Sequence, residues 1–271
     1  RKFSPRFSMR DPEGAGTLKM RTQMGMDNNY GFVDTDHYAV GYTKMLKTGI
    51  KGLQDQALDS LSKCETDDER IFIESSLRSM AVVLKIAEKF AQKAEDMLPE
   101  AENEQNRHFL SMIIESARHV PKLPPRTFYE GLAMMWFLRE VTGALEGIGI
   151  SIIGHPDRVL RELYEKDVAA GRLTRTEALD LVGRWMAPTD CRFDLDNNQW
   201  PETSTTMMLG GCDELGTPVY NEVTKLFLEA HFKWSMINPK LNCRISKQSD
   251  PAFINEIFRQ ITAGHNVFTL I

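Results

Sequence analysis

The 271-residue chain contains no C-x-x-C pair, and its four cysteines, Cys64, Cys191, Cys212 and Cys243, lie far apart. Such spacing supplies neither a Cys/His set for structural zinc nor a disulfide framework. A chain of this length with scattered cysteines reads as reduced and cytoplasmic. The six histidines include no H-E-x-x-H, which removes the zinc-protease signature and leaves no metal site in view. No apolar run approaches the ~20 residues of a membrane-spanning helix. Positive charge is not in excess: the formal net charge is −5, and the basic run Arg1 to Arg10 is too short to reverse it. That balance excludes an electrostatic footprint for nucleic acid or an anionic membrane. There is no initiator Met and no leader pattern. Val267 to Ile271 reads as a strand cut mid-course, so a piece of a longer protein is expected.

Hydrophobic residues make up 42% of the chain, ample for a sizeable core. Helix starts are well marked. Thr66 with Glu69, Thr127 with Glu130 and Thr174 with Glu177 are capping boxes, in which the hydroxyl accepts the N3 amide and the Glu reaches back. Thr217-Pro218 offers a cap followed by proline at the first helical position. Ile73, Leu77, Met80, Ala81, Leu84, Ala87 and Ala91 repeat at three or four and predict one buried stripe. Asp250-Pro251 opens a helix carrying Phe253, Ile257 and Ile261. Further helices are expected over about 38–61, 101–117, 156–169 and 218–233.

Strands are fewer. Thr205 to Leu209 is β-branched at its start and ended by Gly210-Gly211. Lys240 to Ile245 alternates, and Val267 to Ile271 is apolar. A helix separates each from the next, so parallel pairing through β-α-β crossovers is expected.

Several motifs are better read blandly. Gly147 to Gly154 is rich in glycine, but it lacks the spacing of a dinucleotide loop and the Lys-Ser/Thr of a P-loop. It reads as a buried strand or tight apolar crossing. Cys212 follows Gly210-Gly211 and reads as part of a turn, since a nucleophile elbow would enter a helix. Asp190, Asp194 and Asp196 could serve acid/base chemistry or form a solvated loop. His37, close to Asp34 and Asp36, is on composition alone a solvated loop residue.

Resemblance carries the reading further. His37 to Tyr42 followed by Leu46-Lys47-Thr48-Gly49-Ile50-Lys51-Gly52 resembles the G-H-x-x-x-D-Y…L-x-x-G-L-x-G-I of the glycyl radical enzymes, the pyruvate formate-lyase family. Val120 to Glu130 resembles its V-P-x-x-P-P-R-T-F-x-E. Gly154-His155-Pro156-Asp157-Arg158 stands where the family has G-R-x-D-Q. Leu209-Gly210-Gly211 with Asn221-Glu222 resembles L-G-G…N-E-L. Asn238-Pro239-Lys240-Leu241-Asn242-Cys243-Arg244 resembles Q-P-N-L-x-x-R. Order and spacing are kept along nearly the whole chain. Gly41 and His155 depart from the family's Asp and Arg.

The resemblance implies a helix-rich α/β fold: part of a barrel, a parallel half-sheet surrounded by helices. Residues 1–271 would then be part of one pyruvate formate-lyase-like domain, lacking the catalytic Cys loop and the C-terminal glycyl radical domain. None of the four cysteines matches the family's Gly-Cys loop, so no catalytic residue is expected in this chain. It implies a C–C, C–N or C–O lyase or dehydratase, or a formate acetyltransferase-like enzyme. The implied partners are a small-molecule substrate, a separate S-adenosylmethionine iron–sulfur activase that installs the glycyl radical, and a second subunit of a full-length homodimer. His37 matches a family position that meets the substrate. Ile150 and Ser151 match the stretch before G-R-x-D-Q that faces it. The alternative is a non-catalytic helical scaffold derived from the same fold.

Overall fold

A computed structural model describes residues 39–146, 152–190, 205–265 and 267–271. The elements run α1 (Tyr42–Leu61), α2 (Asp67–Met97), a 3-10 turn (Leu98–Glu100), α3 (Glu104–His119), α4 (Phe128–Glu146), β1 (Ile152–Gly154), α5 (Pro156–Val159), α6 (Arg161–Ala169), α7 (Arg175–Asp190), β2 (Thr206–Gly210), α8 (Glu222–Lys233), β3 (Lys240–Arg244), α9 (Pro251–Thr262) and β4 (Phe268–Leu270). They fall into two compact units. One holds the described residues of 39–40, 139–158 and 182–271, and the other holds 41–138 and 159–181.

The first unit is built on a four-stranded sheet in the order β1-β2-β3-β4, with every pairing parallel. The expected strands and their parallel pairing are met, and the glycine-rich stretch contributes β1 as a further strand. Consecutive strands are neighbours, and crossovers are right-handed. Crossovers stepping in one direction put α8 and α9 on the same face of the sheet. Burial follows: Met207, Leu209, Leu241 and Cys243 are 0% exposed, whereas Thr206, Met208 and Asn242, which alternate with them, are half-buried. The covered face is sealed by Val223, Leu226 and Phe227 of α8 and by Phe253 and Ile257 of α9, none above 1% exposed. Each such side chain contributes roughly 1.5–3 kcal/mol of burial. Trp185 of α7 meets Phe227 edge-on, with centroids 5.7 Å apart.

The second unit is helical. Phe128, Met134, Met135, Leu160 and Ala178 are 0% exposed and form its core. Thr66 caps α2 through a complete box, and Thr174 does the same for α7. The Thr127 box is half formed: Thr127 accepts the Glu130 amide, but Glu130 reaches the amide of Arg126. Gly49 interrupts α1 with φ +63°. A Cβ there would stand 2.5 Å from the Lys122 carbonyl oxygen, so the tight contact and the left-handed backbone both require glycine.

Three helix expectations are corrected. The helix expected over 156–169 is broken at Leu160 into α5 and α6. The helix expected from 218 begins at Glu222, because Asn221 accepts the amides of Val223 and Thr224 and outcompetes Thr217 as the cap. The α2 stripe is fully buried only at Ala87, Ala91 and Ala94. Its earlier members, Ile73, Leu77, Met80 and Leu84, are half-buried, and Ala81 is exposed. Among the described residues, the N-terminal half of α2 lacks a neighbour that covers it fully.

Candidate functional site

His37, Ile150 and Ser151, the expected substrate-facing residues, lie outside the described residues, as do Asp194 and Asp196. The structure instead gathers polar side chains at the carboxyl ends of β1, β2 and β3. In parallel sheets this is the end where successive loops converge on ligands.

Asp157 follows β1 and is 0% exposed. Its Oδ2 accepts the Gly210 amide at 2.8 Å and the Thr224 hydroxyl at 3.1 Å. Asn221 Nδ2 donates to the Asp157 carbonyl at 2.9 Å while its Oδ1 caps α8. The ends of β1 and β2 and the start of α8 are thereby joined through one carboxylate. The N-terminal end of α8 favours a negative charge beside it. Burial still dominates and pushes the Asp157 carboxyl up to about 6, against the lowering by the Gly210 amide, the Thr224 hydroxyl and Arg158. Asp157 Oδ1 has no hydrogen-bond partner.

Arg158 Nη2 donates to the Gly210 carbonyl at 2.9 Å, and its Nε is buried without a partner. Gly210 and Gly211 both have positive φ, +73° and +76°. A Cβ on Gly211 would meet Arg158 Nη2 at 2.8 Å and Arg244 Cβ at 3.3 Å. His155 is half-buried with an unpartnered Nδ1. Burial, and then the positive fields of Arg158 and Arg244, push its imidazole down to about 4. Cys243 is completely buried, and burial followed by nearby Asp157 pushes its thiol up to about 12. It is a packing residue at neutral pH. Cys212 lies in a turn that bridges to Pro218, as expected.

A second polar group lies behind the sheet. His231 Nε2 is 2.8 Å from the Pro239 carbonyl, which can only accept, so this nitrogen carries the proton. Its Nδ1 then accepts from His265 Nε2 at 2.7 Å. Burial, and then His265, push His231 down to about 4.

Among the described residues, no group of three or more His, Cys, Asp or Glu is placed to hold a metal ion. No described helix is long and apolar enough to cross a membrane. Sequence reasoning gave Asp157, Arg158, Asn221 and Arg244 no role of their own. The available signal was that the short matches at 154–158, 209–211, 221–222 and 238–244 are the pieces that meet here.

A family profile described as "Pyruvate formate lyase-like" matches residues 8–270. The isethionate sulfite-lyase of Nitratidesulfovibrio vulgaris is 24% identical over 96% of this chain and 33% of its own length. The trans-4-hydroxy-L-proline dehydratase of Clostridioides difficile is 26% identical over 73% of this chain and 26% of its own. Thus the chain spans about a third or less of these curated relatives. Among solved structures, a glycyl radical enzyme from Archaeoglobus fulgidus superposes with TM-score 0.73 at 24% identity, over 87% of this chain and 32% of that one. A Roseburia inulinivorans protein described for 1,2-propanediol dehydration gives 0.75 at 24% identity, over 84% and 30%. These likenesses show a shared fold, that of part of a glycyl radical enzyme barrel.

Proposed function

The chain belongs to the pyruvate formate lyase-like family, and from that premise we propose that it forms one wall of the substrate cavity of a glycyl radical lyase or dehydratase. The observation that carries this reading is the one-sided sheet. Helices seal the face of Met207, Leu209, Leu241 and Cys243, and the face of Thr206, Met208 and Asn242 is left half-buried. A parallel sheet is ordinarily covered on both faces, and the second half of a barrel would cover this one. Residues 1–271 are on this reading part of one domain, with the reacting cysteine and the radical glycine elsewhere in the complete protein.

The radical would supply hydrogen-atom abstraction from substrate. A separate S-adenosylmethionine iron–sulfur activase would install it, and the complete protein would be a cytoplasmic homodimer. This chain's own residues exclude water and orient the substrate. A dry cavity protects reactive intermediates from quenching, and the apolar Ile150 and Ile152 would make its wall. Ser151 and His37 would supply polar contacts. Leaving a substrate hydroxyl unpaired against isoleucine costs ~1–3 kcal/mol, so a substrate with an apolar part is favoured over a triol.

The relatives name suitable probes. Isethionate, trans-4-hydroxy-L-proline, 1,2-propanediol and glycerol would be given anaerobically to the complete, activated protein, with substrate loss followed by chromatography. Turnover of at least one of the first three, with glycerol the poorest, supports the reading. Preferred turnover of glycerol would contradict the apolar wall, and no turnover of any compound would favour the non-catalytic scaffold. His37→Ala should weaken binding of the active compound by ~1–3 kcal/mol by calorimetry, because a buried partner is left unsatisfied. Equal affinities would return His37 to the solvated loop.

A further inference from the structure

We propose that Arg158, Arg244 and His155 form, around Gly211, a binding site for the oxyanion group of a small molecule. The first ground is two cations without counterions. Several other described arginines are paired, among them Arg126 with Glu130, Arg172 with Asp167 and Arg259 with Glu256. Arg158 reaches Gly211 with Nη2 and Arg244 with its aliphatic stem, and among the described residues neither forms an ion pair. The positive fields of both act on His155, and a bound anion would relieve them.

Of the carboxylates that face this place, Asp213 is engaged by backbone amides and Asp157 through one oxygen only. Asp157 spends Oδ2 on the Gly210 amide and the Thr224 hydroxyl. Asp213, in the turn after β2, gives Oδ1 to the amides of Leu215 and Thr217. Neither reaches a guanidinium, although both feel the charge of Arg158.

The second ground is shape. A Cβ on Gly211 would come within 2.8 Å of Arg158 Nη2 and 3.3 Å of Arg244 Cβ, so only glycine leaves both side chains this close to the backbone. A guanidinium presents a planar fork that fits two oxygens of one anion. Arg244 is exposed and can turn toward such a ligand. His155 Nδ1 is a third nitrogen with no partner. Burial first, and then the two arginines, hold this imidazole neutral, and a bound anion would offset the arginines. Anion and proton therefore bind cooperatively at His155 and also at Asp157, whose carboxyl titrates at about 6 beside Arg158, so binding tightens as the pH falls. The site lies at the carboxyl ends of the strands. It does not depend on the radical reading, and its test needs no radical.

The test is isothermal titration of sodium sulfate and of sodium acetate into the complete protein, with sodium chloride at equal ionic strength as reference, at pH 7.5 and 5.5. Sulfate remains a dianion across this range, and acetate reports a planar carboxylate. We expect saturable binding of at least one, tighter at pH 5.5. Arg244→Gln should weaken it at least ~tenfold, about 1.4 kcal/mol. Arg244→Lys, which keeps the charge and loses the fork, should fall between. Lys240→Gln removes an exposed cation four residues away, at the other end of the same strand, and should leave binding unchanged. Circular dichroism checks that each variant is folded. The proposal is overturned if neither anion gives saturable heat in the wild type. It is also overturned if Lys240→Gln and Arg244→Gln lose affinity equally, since net charge would then explain the attraction. Affinity that does not rise at pH 5.5 removes His155, and with it the three-residue site.

Discussion

Asp167 in the helical unit and Asp157 in the sheet unit are both buried carboxylates, 4% and 0% exposed, and they are held in opposite ways. Asp167 Oδ2 accepts the Phe128 amide at 2.7 Å, and its Oδ1 takes a two-pronged contact from Arg172 at 2.7 and 3.0 Å. Glu130, also buried, is likewise gripped by Arg126. Asp157 has an amide, a hydroxyl and the start of a helix, and no cation bonded to it. Arg158, the next residue, turns instead to the Gly210 carbonyl. The helical unit thus spends Arg126 and Arg172 on closing its own structure. The sheet unit leaves two arginines uncommitted beside a carboxylate whose proton affinity is raised. Closed networks suit a scaffold, and open ones suit a site.

The largest effect should come from breaking the closed network. Asp167→Ala strands the buried Phe128 amide and releases Arg172, which is half in solvent. We expect a loss of about 3 kcal/mol by urea denaturation. A loss below ~1 kcal/mol would mean that the clamp is not what holds α4 against α6. Next is the pH dependence set by Asp157. Its folded pKa, about 6, lies above the ordinary 3.8. The folded protein therefore retains the proton more strongly, and this group's contribution to stability falls as the pH rises through that window. His155 and His231, held neutral down to about 4, act oppositely: their contribution is full above the unfolded histidine range and is lost as the pH falls toward 4. The comparison is therefore a difference between proteins. Relative to wild type, Asp157→Asn should gain about 2 kcal/mol between pH 4 and pH 6.5. A constant difference across the window would show that Asp157 does not titrate there.

How much of this was legible beforehand depended on the range of the interaction. Local chemistry read well. The Thr66 and Thr174 boxes and the Asp250 cap rest on contacts within a few residues, the three expected strands on their local residue pattern, and each is present. The start of α8 did not read well, because Thr217-Pro218 reads as its cap. The choice fell to Asn221, whose amide also holds the Asp157 carbonyl 64 residues away in the chain. The site was illegible for the same reason. Asp157, Gly210, Thr224 and Arg244 come from separate elements, and only the parallel register of β2 on β3, pairing Gly210 with Arg244, brings two of them level. The resemblance marked these segments without saying that they touch. His37, Ile150 and Ser151 rest on that resemblance alone.

Caps offer a smaller version of the same comparison. Thr66→Ala removes a solvent-exposed cap in the helical unit and should cost about 1 kcal/mol. Asn221→Ala removes a cap that also ties α8 to Asp157, and should cost about 2 kcal/mol in the same denaturation assay. Equal losses would mean that the tie to Asp157 adds nothing. The smallest effect is chemical. Cys212 is exposed and Cys243 is buried. Under native conditions iodoacetamide followed by peptide mass spectrometry should modify Cys212 and leave Cys243 intact until the protein is unfolded. Early modification of Cys243 would place it on an open face and reverse the assignment of the two sides of the sheet.

That assignment serves one central claim, that this chain is a wall of a glycyl radical cavity whose reacting centres lie elsewhere in the complete protein. The most direct measurement is electron paramagnetic resonance after anaerobic incubation with an activase and S-adenosylmethionine. It should be made on residues 1–271 alone and on the product of the complete open reading frame. The account predicts a silent 271-residue chain and a doublet glycyl signal from the complete protein. A doublet from residues 1–271, or silence from the complete, activated protein, would contradict it.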